Sequence, residues 1–147
     1  MINMSLSGPD DRLLGTLLDQ ALARRMTVVA ALGRDRNLFP ANHPGVLAVG
    51  NLPPLPAGAV LAPGRDVPST TISGGWALVS GSSFAAAHAS GLLALLRELD
   101  AGGKVHPLRS ALVTESVGRI DSCATLLRQT GGNHQACDPT ALVHTPE

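Results

Sequence analysis

Apolar residues recur at helical spacing near the start of the chain. Leucines at positions 13, 14, 17, 18 and 22 of PDDRLLGTLLDQALARR fall on one face of a helix. Pro9 stands at the start of this segment, acidic residues follow it and arginines end it, as the helix dipole favours. The pattern predicts an amphipathic helix over residues 9–25.

Short apolar runs are spaced along the rest of the chain. Strands are predicted in INMSLSG (2–8), MTVVAALG (26–33), GVLAVG (45–50), AVLAPG (59–64) and WALVSG (76–81). The second is a continuous apolar run rich in valine, which suits a strand buried on both faces. Further helices are predicted over 83–98, from Pro107 to about Val117, and from about Asp121 to Gln129. This order is typical of an α/β fold with a parallel sheet and crossover helices.

Composition narrows the class of protein. The 147 residues are 44% apolar but only 2% aromatic, so the core must be built from Ala, Val, Leu and Ile. Eleven basic residues balance eleven acidic ones, which provides no electrostatic basis for binding nucleic acid or an anionic membrane. No segment approaches the roughly 20 apolar residues of a membrane span, and the N-terminus has no signal-peptide pattern.

Two cysteines, Cys123 and Cys137, match no zinc-binding spacing. A local disulfide between them and a pair of reduced thiols both remain open at this stage. Closing a loop of this size would contribute about 3 kcal/mol.

A serine stands at the predicted start of the central helix. In LVSGSSFAAAHASGLLALL, Gly81 ends a strand, and Ser82 and Ser83 open a helix of small residues. The unpaired backbone amides of a first helical turn favour negative charge, so a serine there is a candidate nucleophile beside an oxyanion site. The alternative is that Ser82 or Ser83 only caps the helix, the commoner role of serine at such a position.

The segment GSSFAAAHASG resembles the nucleophile motif of the subtilisin-like serine peptidases, Gly-Thr-Ser-Met-Ala-Ala-Pro-His-Val-Ala-Gly. INMSLSG is similar to the family's Ile-Asn-Met-Ser-Leu-Gly-Gly strand, and VVAALGRD to its Val-Val-Ala-Ala-Ala-Gly-Asn-Asp. FPANHPGVLAVG and GRIDSCATL resemble two further family segments. The similar segments follow the family order and cover residues 1 to about 128.

The resemblance implies a subtilisin-like three-layer fold in which residues 1–128 form the C-terminal part of the peptidase domain and 129–147 an irregular tail. It implies an endopeptidase that acts through an acyl-enzyme on Ser83. The substrate-binding residues that it implies are Ser5, Leu6 and Ser7, as an edge for an added peptide strand, and Ala31, Leu32 and Gly33, as the wall of a pocket for apolar side chains. Ser7 replaces the usual glycine, which narrows access to that edge.

The sequence departs from the family pattern in two ways. Arg34 stands at the position of the oxyanion-hole asparagine, and losing such a donor costs about 10²–10³-fold in turnover. Arg34 either substitutes as a donor or forms a surface ion pair with Asp10, Asp11 or Asp35.

The family's catalytic Asp and His motifs precede the strand that INMSLSG resembles, and this chain contains neither motif. His88, inside the nucleophile motif, is expected to be a buried core histidine, and His43 a turn residue, so neither is expected to be the base. Without a base, Ser83 is a weak nucleophile. The chain alone is therefore expected to be inactive.

Three functional hypotheses follow. The chain is the nucleophile-bearing part of an endopeptidase that a complementing segment activates, a pseudopeptidase that binds peptides or partners, or a fragment without a function of its own. The expected partners are a protein or peptide substrate and either an N-terminal half of the same fold or a second copy; no nucleic acid or membrane is expected. No cofactor is expected; the resemblance allows calcium, although no ligand set is identified. The family's habit of export implies a secreted or periplasmic location.

Overall fold

A parallel sheet of four short strands forms the centre of the structure. This computed structural model describes residues 1–33, 38–100 and 108–132. The strands are β1 (Ile2–Met4), β2 (Val28–Ala31), β3 (Leu47–Gly50) and β4 (Val60–Leu61), and they lie side by side in chain order. All three pairings are parallel, with Asn3 opposite Val29 and Ala30 opposite Ala48. The predicted parallel α/β sheet is confirmed.

Three α-helices accompany the sheet: α1 (Arg12–Ala23), α2 (Ser82–Leu99) and α3 (Ser122–Thr130). Asp11 caps α1, because its Oδ1 accepts a hydrogen bond from the Leu14 amide at 2.8 Å. The helix is thus shorter than predicted: Pro9 lies before it, and no acidic residue in its first turn or basic residue in its last supports the dipole argument. The helix predicted over 83–98 is confirmed, with one further residue at each end.

The alternation of side chains along β2 explains why helices cover both faces of the sheet. All four residues of β2 are buried. Val28 and Ala30 join a cluster that includes Leu18 of α1. Val29 and Ala31 join a second cluster, which includes residues of β3 and β4 and much of α2. Successive strand residues point to opposite faces, so the continuous apolar run supplies both cores and yields three layers.

The segment WALVSG forms a strand, but not one in the parallel sheet. β6 (Trp76–Val79) pairs antiparallel with β5 (Val67–Thr70), a strand that the sequence analysis missed. The hairpin is half exposed, and the side chains of Trp76 and Leu78 are 76% and 68% exposed. Two short runs around the Gly74–Gly75 turn were the available signal, since glycines at positive φ favour hairpins.

The helix predicted from Pro107 to Val117 is wrong. Pro107 lies outside the described residues, and only a 3-10 turn at Leu108–Ala111 follows. The chain then extends, with Thr114 bridging Ile120 and the Val113 amide donating to Thr125 Oγ1 at 2.9 Å. Extended backbone suits the β-branched residues Val113 and Thr114. The third helix is confirmed, and Asp121 caps it through a 2.8 Å bond from the Ala124 amide.

Within the described residues, none of the helices combines the length and the apolar character that crossing a membrane requires.

The packing of α2 yields a test of the fold. Leu93 is fully buried between α2 and the sheet, whereas Leu95 on the same helix is 55% exposed. We expect Leu93→Ala to lower the free energy of unfolding by about 2–5 kcal/mol because it opens a core cavity. Leu95→Ala is the matched control and should change it by less than about 0.5 kcal/mol. Equal losses for the two variants in urea unfolding would contradict this packing.

Candidate active site

The segments that follow three parallel strands meet at one edge of the sheet. Residues 5–7 follow β1, residues 32–33 follow β2, and Asn51 follows β3. The carboxyl edge of a parallel sheet is where open α/β folds place their sites. The N-terminus of α2 arrives at the same edge, which brings Ser83 beside Ser5.

Ser83 is attached to the end of β1 by two hydrogen bonds. Its Oγ donates to the Ser5 carbonyl at 3.4 Å, and Ser5 Oγ donates to the Ser83 carbonyl at 3.2 Å. Ser83 is half-buried, and its hydroxyl is not turned back onto its own helix. The long distance from Ser83 Oγ to the Ser5 carbonyl marks this as a weak bond.

No serine side chain caps α2, so the capping alternative does not hold. The residue at the cap position is Gly81, and no side-chain hydrogen bond closes this end of the helix. Ser82 Oγ donates instead to the Leu32 carbonyl at 2.5 Å. The helix terminus therefore keeps its partial positive charge beside the Ser83 hydroxyl.

Gly64 determines how closely the segment after β4 approaches α2. Its carbonyl accepts the Gly81 amide at 2.8 Å and the Asn51 side-chain amide at 3.0 Å. A Cβ built on Gly64 would lie 2.7 Å from the Gly81 carbonyl oxygen and 2.9 Å from the Ala85 Cβ. Only glycine fits here without displacing the turn that carries Ser83.

A cleft of about 310 Å³ lies in front of Ser83. Residues 5–7, 31–33 and 80–84 line it. Ser83 and all six predicted substrate-binding residues thus share one cleft, with Ser5, Leu6 and Ser7 exposed on one wall. Phe84 and Ser80, which the sequence analysis did not single out, complete it.

A larger cavity of about 760 Å³ adjoins this cleft and shares Leu32, Gly33, Ser80 and Ser82 with it. Ser83 does not line the larger cavity. The smaller cleft is therefore the candidate active site, because it contains the hydroxyl that chemistry would use.

Both of the described histidines have hydrogen-bond partners other than the Ser83 hydroxyl. His43 Nε2 contacts Asp19 Oδ1 at 2.9 Å and is mostly buried, between α1 and its own loop. His88 is exposed, and its Nδ1 lies 3.0 Å from the Phe84 carbonyl of its own helix. The expectation of a buried core histidine at position 88 is wrong, because position 88 lies outside the α2 face that packs on the sheet.

Comparison with known proteins decides the family. The sequence matches the model of the subtilase family, peptidase S8, over residues 1–138. The chain belongs to the subtilase family. The family resemblance of the individual motifs is thereby confirmed, and the family is one of subtilisin-like serine endopeptidases.

Individual subtilases show how much of the family domain is present. Subtilisin-like protease 1 of Trichophyton rubrum is 32% identical in an alignment of length 133, gaps included, that covers 80% of this chain and 26% of that protein. Subtilisin of Bacillus pumilus is 32% identical in an alignment of length 114, gaps included, that covers 65% of this chain and 42% of that protein. The structure of the self-cleaved protease domain of PatA superimposes with a TM-score of 0.74 at 28% identity, over 90% of this chain and 63% of that one. The subtilisin-like three-layer fold is confirmed, and the chain spans about a quarter to two fifths of these curated relatives.

Two of the predicted site residues lie outside the described part of the chain. Arg34 and Cys137 are outside them, so the role of Arg34 and the disulfide to Cys123 stay predictions. In the described ranges, no group of three or more His, Cys, Asp or Glu residues could hold a metal ion. The calcium that the family resemblance allows therefore stays a prediction.

The contact at Gly64 yields a prediction for the site. We expect Gly64→Ala to lower the free energy of unfolding by about 1–3 kcal/mol, because the added methyl overlaps backbone and Ala85 atoms that cannot move freely. Gly91→Ala is the control: it lies in α2 with no atom within 4 Å of the added Cβ, and should raise stability by up to about 1 kcal/mol. Thermal unfolding of both variants checks this, and a Gly64→Ala variant as stable as the parent would refute the contact.

Proposed function

We propose that this chain carries the nucleophile of a serine endopeptidase, Ser83, and cleaves peptide bonds through an acyl-enzyme when a complementing segment supplies the base. The observation that carries the proposal is the position of Ser83 Oγ, at an uncapped helix N-terminus on the wall of a cleft. Family membership supports the reaction class.

The cleft fits an extended peptide. Residues 5–7 continue the edge strand β1 and are exposed, so a substrate strand can add to them through backbone hydrogen bonds. The side chain that precedes the scissile bond would enter between residues 5–7 and 31–33. The Leu6, Ala31 and Leu32 side chains favour an apolar group there.

The reacting group in this proposal is Ser83, in the first turn of α2. Ser83 Oγ attacks the carbonyl carbon and gives its proton to the base, and the proton passes to the leaving amine as the acyl-enzyme forms. Water repeats the sequence and releases the acid. The Phe84 and Ala85 amides already donate to the Gly81 carbonyl, so the backbone amides of Ser82 and Ser83 are the candidate donors to the developing oxyanion. Arg34 is a candidate further donor in place of the family's asparagine.

The base is proposed to come from a complementing segment, an N-terminal half of the same fold. His43 is paired with Asp19, and His88 with the Phe84 carbonyl, so both described imidazoles are engaged elsewhere. A buried aspartate that orients a histidine would complete the triad arrangement.

Exposed apolar surface supports this choice of partner. Leu95 and Leu99 of α2 are 55% and 45% exposed, and Ala87 and Gly91 extend the same stripe. Among the described residues, β1 has a neighbouring strand on one side only, so its other edge offers backbone groups for pairing. An exposed stripe and an open sheet edge are the surfaces that a missing half of a three-layer fold would cover.

A pseudopeptidase that binds peptides without cleaving them is the second candidate. The observation in its favour is that Ser83 Oγ bonds only to a backbone carbonyl among the described residues. A secreted or periplasmic location is retained as part of either proposal.

Labelling of Ser83 separates the two candidates. A serine-directed fluorophosphonate should not label the chain alone, but should label it after addition of a polypeptide with the N-terminal half of a subtilisin-like domain, because only then does Ser83 have a base. Mass spectrometry of the tryptic peptides locates the label.

Two variants control this experiment. Ser83→Ala should abolish labelling, whereas Ser122→Ala, which removes another exposed serine at the start of a helix, should leave it intact. Absence of labelling with every partner half would reject the peptidase and favour the binding protein.

The exposed α2 stripe has its own test. We expect the chain alone to self-associate and to bind an apolar dye, and Leu95→Lys to reduce both and to slow complementation, because it places a charge in the proposed interface. Leu13→Lys, at a leucine of α1 that is 72% exposed, is the control and should not slow complementation. Size-exclusion chromatography and the labelling rate are the measurements; a monomer that binds no dye would count against the interface.

A further inference from the structure

A chain of three hydrogen bonds joins the middle of α2 to its first turn through Asn3 and Ser5, and a fourth bond returns from Ser83 to Ser5. Ser90 Oγ donates to Asn3 Oδ1 at 3.1 Å, and Asn3 Nδ2 donates to Ser5 Oγ at 3.2 Å. Ser5 Oγ donates to the Ser83 carbonyl at 3.2 Å, and Ser83 Oγ donates to the Ser5 carbonyl. We call Ser90, Asn3 and Ser5 the relay.

The donors and acceptors of the relay have one consistent direction. Each hydroxyl uses its single proton once, and the amide of Asn3 presents its oxygen to Ser90 and its nitrogen to Ser5. Ser90 lies seven residues, close to two turns, beyond Ser83, so both face β1 from one side of α2. Ser90 is only 8% exposed, which protects its bond to Asn3 from water.

We propose that Ser90 and Asn3 are positioning residues for the nucleophile, acting on Ser83 through Ser5. This inference rests on the proposed function. Ser90 stands where the similar family motif has alanine, so the first bond of the relay is a feature of this chain rather than of the motif.

The orientation of the Asn3 amide is what the relay controls. With Oδ1 toward Ser90, the Nδ2 group fills one lone pair of Ser5 Oγ and leaves the Ser5 proton for the Ser83 carbonyl. With the amide reversed, Asn3 Oδ1 would face Ser5 Oγ and take that proton. The Ser83 carbonyl would then lose its bond to β1, and the first turn of α2 would be free to shift against residues 5–7. Displacements of about 1 Å at a reacting group can cost about 10²-fold in rate.

Fluorophosphonate labelling of the complemented chain, with the rate measured against probe concentration, tests this role. We expect Ser90→Ala to lower the maximal labelling rate about two- to tenfold, the factor that one neutral hydrogen bond represents. The half-saturating probe concentration should not change, because the cleft walls are intact. Ser90→Thr keeps the hydroxyl and should restore the rate. Asn3→Asp has the same shape but accepts the Ser5 proton, so it should be slow like Ser90→Ala.

A second readout requires no activity. In the uncomplexed chain, the ¹⁵N relaxation order parameter of the Asn3 side-chain amide should be high, as for a group with restricted motion. It should fall in Ser90→Ala and recover in Ser90→Thr. Ser122→Ala should change neither the labelling rate nor this order parameter.

The outcomes are distinct. Unchanged labelling in Ser90→Ala, a change confined to the half-saturating concentration, or failure of Ser90→Thr to rescue would each overturn the positioning role. Absence of labelling in the parent complex would reject the proposed function and this role with it, whereas a held Asn3 amide would still establish the relay as a structural link. A freely moving Asn3 amide in the parent would refute the relay itself.

Discussion

The packing of α2 against the parallel sheet is the constraint on which the site depends. The helix contributes seven buried residues, from Ala85 to Leu96, to one face of the structure. Small residues in its first turns let it approach the sheet closely, and Gly64, in the segment after β4, contacts Gly81 through the backbone. This contact fixes the position of the α2 N-terminus along the sheet, and hence the position of Ser83 relative to the ends of the strands.

The parallel direction of the strands places the start of α2 beside a cleft. Because β1, β2 and β3 are parallel, the segments after them emerge at one edge, where α2 presents its uncapped N-terminus. One wall of the cleft is open backbone that can pair with a peptide, and the other is apolar. Two hydrogen bonds link the helix start to the neighbouring strand ends: Ser82 Oγ donates to the Leu32 carbonyl, and Ser5 Oγ donates to the Ser83 carbonyl. The backbone that carries the Ser83 hydroxyl is therefore held at two points, and such positioning is what a nucleophile requires.

The same architecture leaves one side of α2 and one edge of the sheet exposed. The exposed leucines of α2, the free edge of β1 and the unburied His88 belong to the part of the central helix and sheet that no described residue covers. The relay of Ser90, Asn3 and Ser5 crosses from α2 to β1 next to this open edge. A partner that covers the edge would therefore bind beside the groups that hold Ser83, so its docking would be coupled to the position of the proposed nucleophile.

What the sequence determined by itself was local or carried by motifs. Continuous apolar runs identified β2 and β3, since strands buried on both faces have no polar face, and leucines spaced along one helical face identified α1. The family motifs pointed to Ser83 and to residues 5–7 and 31–33, which the fold brings into one cleft. Tertiary structure decided the rest. The β5–β6 hairpin, the extended chain after Ala111, the exposure of His88 and the relay through Ser90 all depend on which surfaces meet. Those outcomes depend on contacts between residues distant in sequence, as Asn3 and Ser90 are, and periodicity along a chain carries no record of such contacts.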